Sequence, residues 1–136
     1  KGHDMESFEL KTSRFSMHDI TSQVKKAVRE SKVTEGLCTV YCPHTTAAIT
    51  INENADPDVQ HDLLFALADA FGSSDRAEFR HIEGNSHAHL KSTLIGASET
   101  IPIENGALVL GTWQGIYFCE FDGPRNRRFH VQIVGN

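Results

Sequence analysis

The sequence predicts an α+β fold, a two-sheet β-sandwich with two flanking helices. Three observations carry that expectation. Stretches of alternating or β-branched residues outnumber helical patterns, two segments place apolar residues at helical spacing, and the strand-like stretches crowd into the last third of the chain. The order is β-α-β-β-α followed by several β, without the regular alternation of a parallel α/β sheet. A chain of 136 residues, 39% hydrophobic and 23% charged, suits one globular domain.

Each element has its own warrant. Residues 7–14 alternate, with Phe8, Leu10 and Thr12 on one side, as a half-buried strand does. Asp19 can cap a helix whose stripe is Ile20, Val24, Ala27 and Val28, ending near Ser31. Leu37–Cys42 is a short strand that sets Cys38 and Cys42 on one face. Pro43 interrupts it because proline donates no ladder hydrogen bond, and Thr46–Ile51 resumes with Ala47, Ile49 and Ile51 aligned. Asp56-Pro57 then opens a helix with a capping carboxylate and a proline where no donor is needed. Val59, Leu63, Leu67 and Ala70 form its apolar face, and Gly72 closes it. Residues 73–89 read as loop. Strands are expected at Ala107–Trp113, Gly115–Phe121 and Arg127–Val134, separated by glycines.

Composition removes several function classes. The net charge is −5, and residues 41–79 hold only Arg76 against Glu53, Asp56, Asp58, Asp62, Asp69, Asp75 and Glu78. Such a chain has no basic footprint for nucleic acid or an anionic membrane. Its longest apolar run, Leu63 to Ala68, falls far short of the roughly 20 residues of a membrane helix, and no signal-peptide pattern is visible. The expectation is a soluble, cytoplasmic protein. Three cysteines without a CxxC pair suggest buried packing rather than disulfides or a thiolate zinc site. Activated-serine, Walker A and dinucleotide motifs are absent from the sequence.

Eight histidines direct attention to three constellations. The first is Arg80-His81-Ile82-Glu83-Gly84-Asn85-Ser86-His87-Ala88-His89, whose imidazoles and carboxylate are ligand types suited to zinc. If residues 87–89 are extended, His87 and His89 share a face. An exposed polar loop is the competing reading. The second is Pro43-His44-Thr45-Thr46, just before the Asn52–Asp56 run. His44 stands at a strand end, and the hydroxyls and amides there can hold a phosphate oxygen. The third is Gly115–Arg125. A strand apolar on both faces buries Glu120, and a buried carboxylate needs a partner, for which Arg125, Arg127 and Arg128 are the candidates. That partnership is either a structural ion pair or part of an anion site.

The stretches His44–Val59, His81–Ser92 and Gly111-Thr-Trp-Gln-Gly-Ile116, with Glu120–Gly123, strongly resemble the YjbQ-like family, whose members are labelled secondary thiamine-phosphate synthase enzymes. The resemblance runs from about residue 6 to 134. It sets a single domain at residues 5–136 and leaves residues 1–4, ahead of Met5, as an expected addition to it. It implies the sandwich with flanking helices, assembled as a homotrimer. His44, His81 and His89 match the family's recurring histidines and are the implied ligands of a divalent metal, zinc by ligand type. Glu53, Asp62, Glu83, Glu120 and Arg125 match further recurrent polar positions. On that basis His44, Glu53, Glu83, Glu120 and Arg125 are candidate catalytic residues. Thr45, Thr46, Asn85 and Lys91 are candidate contacts to a small phosphorylated substrate. The implied activity joins the thiazole phosphate and pyrimidine pyrophosphate halves of thiamine phosphate. The alternative is a non-catalytic protein that binds a metal or small anion, with synthase activity incidental.

Overall fold

The computed structural model describes residues 3–136, with side chains from residue 5 onward. The elements in order are β1 (His3–Lys11), β2 (Ser16–Asp19), α1 (Thr21–Ser31), β3 (Glu35–Tyr41), β4 (Ala47–Glu53), α2 (Pro57–Phe71), α3 (Ser86–Ile95), β5 (Ser98–Glu104), β6 (Ala107–Leu108), β7 (Gln114–Glu120) and β8 (Asn126–Gly135). A five-stranded sheet runs β1-β8-β3-β5-β6 and a three-stranded sheet runs β2-β7-β4, with antiparallel pairing throughout. The expectation about residues 1–4 meets the structure only at its edge: β1 begins at His3, and residues 1–2 lie outside the described residues.

Two cores explain the layering. Val24, Ala27 and Val28 of α1 join Cys38, Val40, Ile49, Ile101, Ile103, Ile116, Phe118, Phe129, Val131 and Ile133 in the larger one, between the sheets. The smaller core gathers Ala48, Ala88, Tyr117, Cys119 and Phe121, with Phe15, Met17, Leu67 and Ile95 against it. β7 contributes to both, because its alternate residues face opposite layers. That is why Gly115–Phe121 is buried without interruption.

The local signal acts as expected at the start of α2, where Asp56 is the N-cap and its Oδ1 accepts from the Asp58 amide at 2.9 Å, with Pro57 first in the helix. At α1 the N-cap is Ile20, without a side-chain cap bond; Asp19 stands one residue earlier, where its Oδ1 accepts from the Thr21 amide at 2.9 Å. Gly72 leaves α2 at φ +83°, a conformation that favours glycine. Val59, Leu63 and Leu67 do turn inward, yet they are only half-buried, and no residue of α2 is fully buried.

Three expectations are corrected. Residues 86–95 form a third helix instead of loop, so three helices accompany the sheets. Its inward stripe is Ala88, Lys91 and Ile95, and a lysine at the middle position hides the pattern from a hydrophobicity reading. His87 and His89 therefore do not share an extended face, since a helix separates residues two apart. The strand expected over 107–113 shrinks to Ala107–Leu108, while β5 carries Ile101 and Ile103 inward. Pro102 sits in β5 beyond the short pairing of Ile103 and Glu104 with β6, where its missing donor disturbs little.

Candidate functional site

The site lies where the end of β7 meets the 73–91 segment and the residues joining β1 to β2. Gly123 makes that meeting possible: a Cβ there would come within 2.1 Å of the Ser13 carbonyl. Its amide instead donates to the Arg14 carbonyl at 3.0 Å, which brings Arg14 and Phe15 beside Phe121 and Asp122. From the other side Asp75 accepts from the His87 amide at 2.9 Å, and so caps α3 from outside the helix. Partial burial opposes the Asp75 charge, but the His87 and Ser86 amides hold its carboxyl below the ordinary value.

Asp122 links these parts. Its Oδ2 accepts from Asn85 Nδ2 at 2.8 Å and from Arg125 Nη2 at 2.9 Å, while Arg125 Nε donates to the Asp122 carbonyl at 2.8 Å. Burial works to raise the Asp122 pKa, and the bonds from Asn85 and Arg125 outweigh it, keeping the carboxyl below its ordinary value. Nearby, His81 Nε2 and Glu83 Oε1 are 2.9 Å apart, and the His81 and His89 rings meet edge-on with centroids 5.5 Å apart. Asn85 Oδ1 and Asp75 Oδ2 are buried oxygens without a partner among the described residues.

Within the same region Lys91 is 1% exposed. Its Nζ donates to the Gly72 carbonyl at 2.7 Å, lies 3.0 Å from His87 Nδ1, and sits 5.2 Å from the centre of the Phe15 ring. An ammonium donating to Nδ1 leaves the His87 proton on Nε2. Burial, then the Lys91 charge, hold His87 below the ordinary histidine value, and burial lowers Lys91. Arg14, Phe15, Ser73, His87, Lys91, Phe121, Asp122 and Gly123 line a cavity of about 360 Å³.

The other sequence-predicted residues lie apart from this cluster or serve the frame. His44 Nε2 accepts from the Arg128 amide at 2.9 Å and opens with Lys11, Asn126 and Arg128 onto a separate cleft. Burial, then the Arg127 charge, lower its pKa. Thr45 is exposed, whereas Thr46 is buried and accepts from Arg127 Nη2 at 2.8 Å. Glu53 ends β4 opposite Gln114, whereas Ala47 at the other end faces Glu120. Six strand steps thus separate Glu53 from the Glu120 end by roughly 20 Å, and the structure does not gather the two into one site. Glu120 is 0% exposed, with Thr12, Arg127 and the Asp122 amide occupying its oxygens. The partner that the sequence left open among three arginines is Arg127; Arg125 turns to Asp122 and Arg128 to Glu9. Asp62 is exposed beside His61.

His81 and His89 are thus brought together, and His44 does not join them. Among the described residues no three His, Cys, Asp or Glu side chains are arranged to hold a metal. Arg14, Phe15 and Asp122 are additions that sequence reasoning missed. Only the Asp122-Gly123 pair, a carboxylate before a glycine at a strand end, gave a signal for any of them.

The fold and the cluster together define a small two-sheet α+β protein with a polar, histidine-rich site at the end of its smaller sheet. The chain matches the family described as UPF0047 protein YjbQ-like over residues 6–136, and it belongs to that family. It is 49% identical over 132 residues to the UPF0047 protein YugU of Bacillus subtilis, covering 96% of this chain and 99% of that one. It is 52% identical over 130 residues to a UPF0047 protein of Methanocaldococcus jannaschii, covering 95% and 93%. Among solved structures, an uncharacterized YjbQ/UPF0047 protein of Clostridium acetobutylicum superposes with a TM-score of 0.91 at 57% identity, covering 95% of this chain and 99% of that one. A YbjQ-like protein of unknown function from Sulfolobus solfataricus gives 0.93 at 36% identity, covering 98% of each. No helix among the described residues is long and apolar enough to cross a membrane.

Proposed function

We propose that the protein is an enzyme of phosphorylated small molecules, performing the thiamine-phosphate synthase reaction that its family resemblance implies. The supporting observation is that Asn85, in the segment carrying His81, Glu83 and His89, bonds Asp122 and so ties that segment to the Asp122–Arg125 pair at the end of β7. In this reading the thiazole ring nitrogen attacks the methylene carbon of the pyrimidine pyrophosphate. The C–N bond forms, the C–O bond breaks, and diphosphate departs with the electron pair. Asp122 fixes Arg125 through Nε and Nη2, leaving Nη1 to meet the charge growing on the departing group. His81, held by Glu83, is the proton donor to that group.

The test is turnover by the purified chain supplied with both halves. One diphosphate per thiamine phosphate is expected, with Arg125→Gln and His81→Ala each slower by roughly 10²–10⁴-fold, the worth of a positioned acid or charge. Equal rates in these variants and in His130→Ala would sink the reading.

A second reading, a metal-binding protein with incidental catalysis, is favoured by the His81–His89 contact alone. The donor types suit zinc, but one copy does not close the set. In the implied homotrimer, His44 of another copy would be the third imidazole, and the metal would act as a Lewis acid there.

A further inference from the structure

We propose that the cavity between α3 and the β1–β2 connection is a binding site for the phosphate monoester end of a small molecule with a flat apolar body. Charge is the first argument. Lys91 is a fully buried ammonium without a carboxylate partner among the described residues; its contacts are a carbonyl, an imidazole nitrogen and a ring face. Arg14 faces the same cavity, and its guanidinium has no hydrogen bond or ion pair among the described residues. Two cations therefore face one cavity whose lining carboxylate, Asp122, is already paired with Arg125 and Asn85. The buried charge of Lys91 is costly to leave unpaired, and a dianion entering beside it offsets that cost, while the exposed Arg14 adds attraction from the mouth of the cavity.

Shape and donor chemistry narrow the ligand. His87 presents its Nε2 proton because Nδ1 is turned to Lys91, adding a neutral donor to the two cations. Phe15 and Phe121 form one apolar wall, with ring centroids 6.0 Å apart. The volume, about 360 Å³, is in the range of small-molecule sites. Two positive charges and an additional donor match a phosphate monoester better than the single charge of a carboxylate or sulfate ester. The inference deepens the proposed function by seating the phosphate-bearing substrate, but the site is defined by binding and stands without turnover.

Calorimetric titration with phenyl phosphate, phenyl sulfate and benzoate tests it. Phenyl phosphate should bind tightest. Arg14→Gln, at an exposed position that leaves the fold intact, should weaken it by roughly 10- to 100-fold, the worth of a charge-assisted contact. Lys91→Met should abolish binding, and a shift of the His87 proton resonances on adding phenyl phosphate covers the case in which that variant does not fold. Lys26→Gln, on the far helix in an exposed pair with Glu30, should bind as the wild type does. Equal affinity for the three probes, an unchanged Arg14→Gln titration, or no saturation would overturn the assignment. Phenyl phosphate binding with no thiamine phosphate formed removes only the synthase reading. Full synthase turnover by wild-type protein that shows no saturable phenyl phosphate binding removes only the cavity assignment.

Discussion

The Arg127 Nε donates to Glu120 Oε1 at 2.7 Å across the end of the smaller sheet, and Glu120 is wholly shielded from solvent. Arg127 reaches from β8 in the larger sheet to β7 in the smaller, and it also bonds Thr46, the residue just before β4. The pair therefore ties the two sheets together at the edge nearest the site.

Breaking the pair from one side should be severe. Arg127→Met leaves a buried carboxylate unpaired, and denaturant unfolding should show a loss of about 3–5 kcal/mol. Replacing both, Glu120→Leu with Arg127→Met, should recover much of that loss, since no charge is then stranded. Equal losses in the single and double variants would mean that the pair matters by shape rather than charge.

The same pair sets an acid response. Burial pushes the Glu120 pKa upward, but the bonds from Arg127, Thr12 and the Asp122 amide prevail and hold it below the ordinary 4.5. A carboxyl lowered in the folded state favours folding above its unfolded value, and that contribution disappears as pH falls toward the folded one. Stability should therefore drop as pH is taken below about 4.5. Glu120→Gln should show a shallower fall over the same window by circular dichroism.

Helix α2 offers a graded test. Leu63 borders an apolar slot of about 140 Å³ beneath the helix, with Leu67, Ile95 and Phe121. Because Leu63 is half-buried, Leu63→Ala should cost near the lower end of the usual range, about 2 kcal/mol. Exposed Asp69 should tolerate alanine within about 0.5 kcal/mol. Equal shifts in thermal stability would contradict the register of α2 seen here.

How far the sequence reveals this architecture depends on whether the signals are local. Asp19, Asp56 and Pro57 act on amides two residues away or on their own φ, so both helix starts are legible. The two-sided burial of β7 is written in its continuous apolar run, and with it the need for a partner to Glu120. Which arginine answers that need is decided by β8 crossing between the sheets, and no local pattern encodes it. α3 stays hidden because Lys91, the residue at its buried centre, is polar. Its place depends on the Gly72 carbonyl and on His87, contacts that exist only once α2 and α3 meet. Arg14 joins the site because Gly123 admits the backbone at Ser13, a tertiary approach with no signature along the chain.

The thiols should be silent in the native state. Burial pushes Cys38 and Cys119 up to about 12 and Cys42 up to about 11, and all three are free and buried. The thiolate is the reacting species, so a disulfide reagent at neutral pH should count no accessible thiol before unfolding and three afterwards. A fast-reacting cysteine in the folded protein would show that one of these strands opens.

The histidines supply the last test, and it bears on assembly as well as on metal. His81 and His89 touch, while His44 Nε2 accepts from the Arg128 amide. If zinc is held by all three, one copy is insufficient, and metal binding should accompany the homotrimer. The measurement is elemental analysis, after incubation with zinc, of untagged protein fractionated by sedimentation. Alanine at His44, His81 or His89 should each lower the metal content sharply. His130→Ala, whose side chain bonds Ser7 on the outer face of β8, should keep it. Bound zinc should also fall on acidification, because protonated imidazoles cannot ligate. Zinc retained by a monomer, or by the His44 variant, would remove His44 from the ligand set and leave His81 and His89 to the acid–base role.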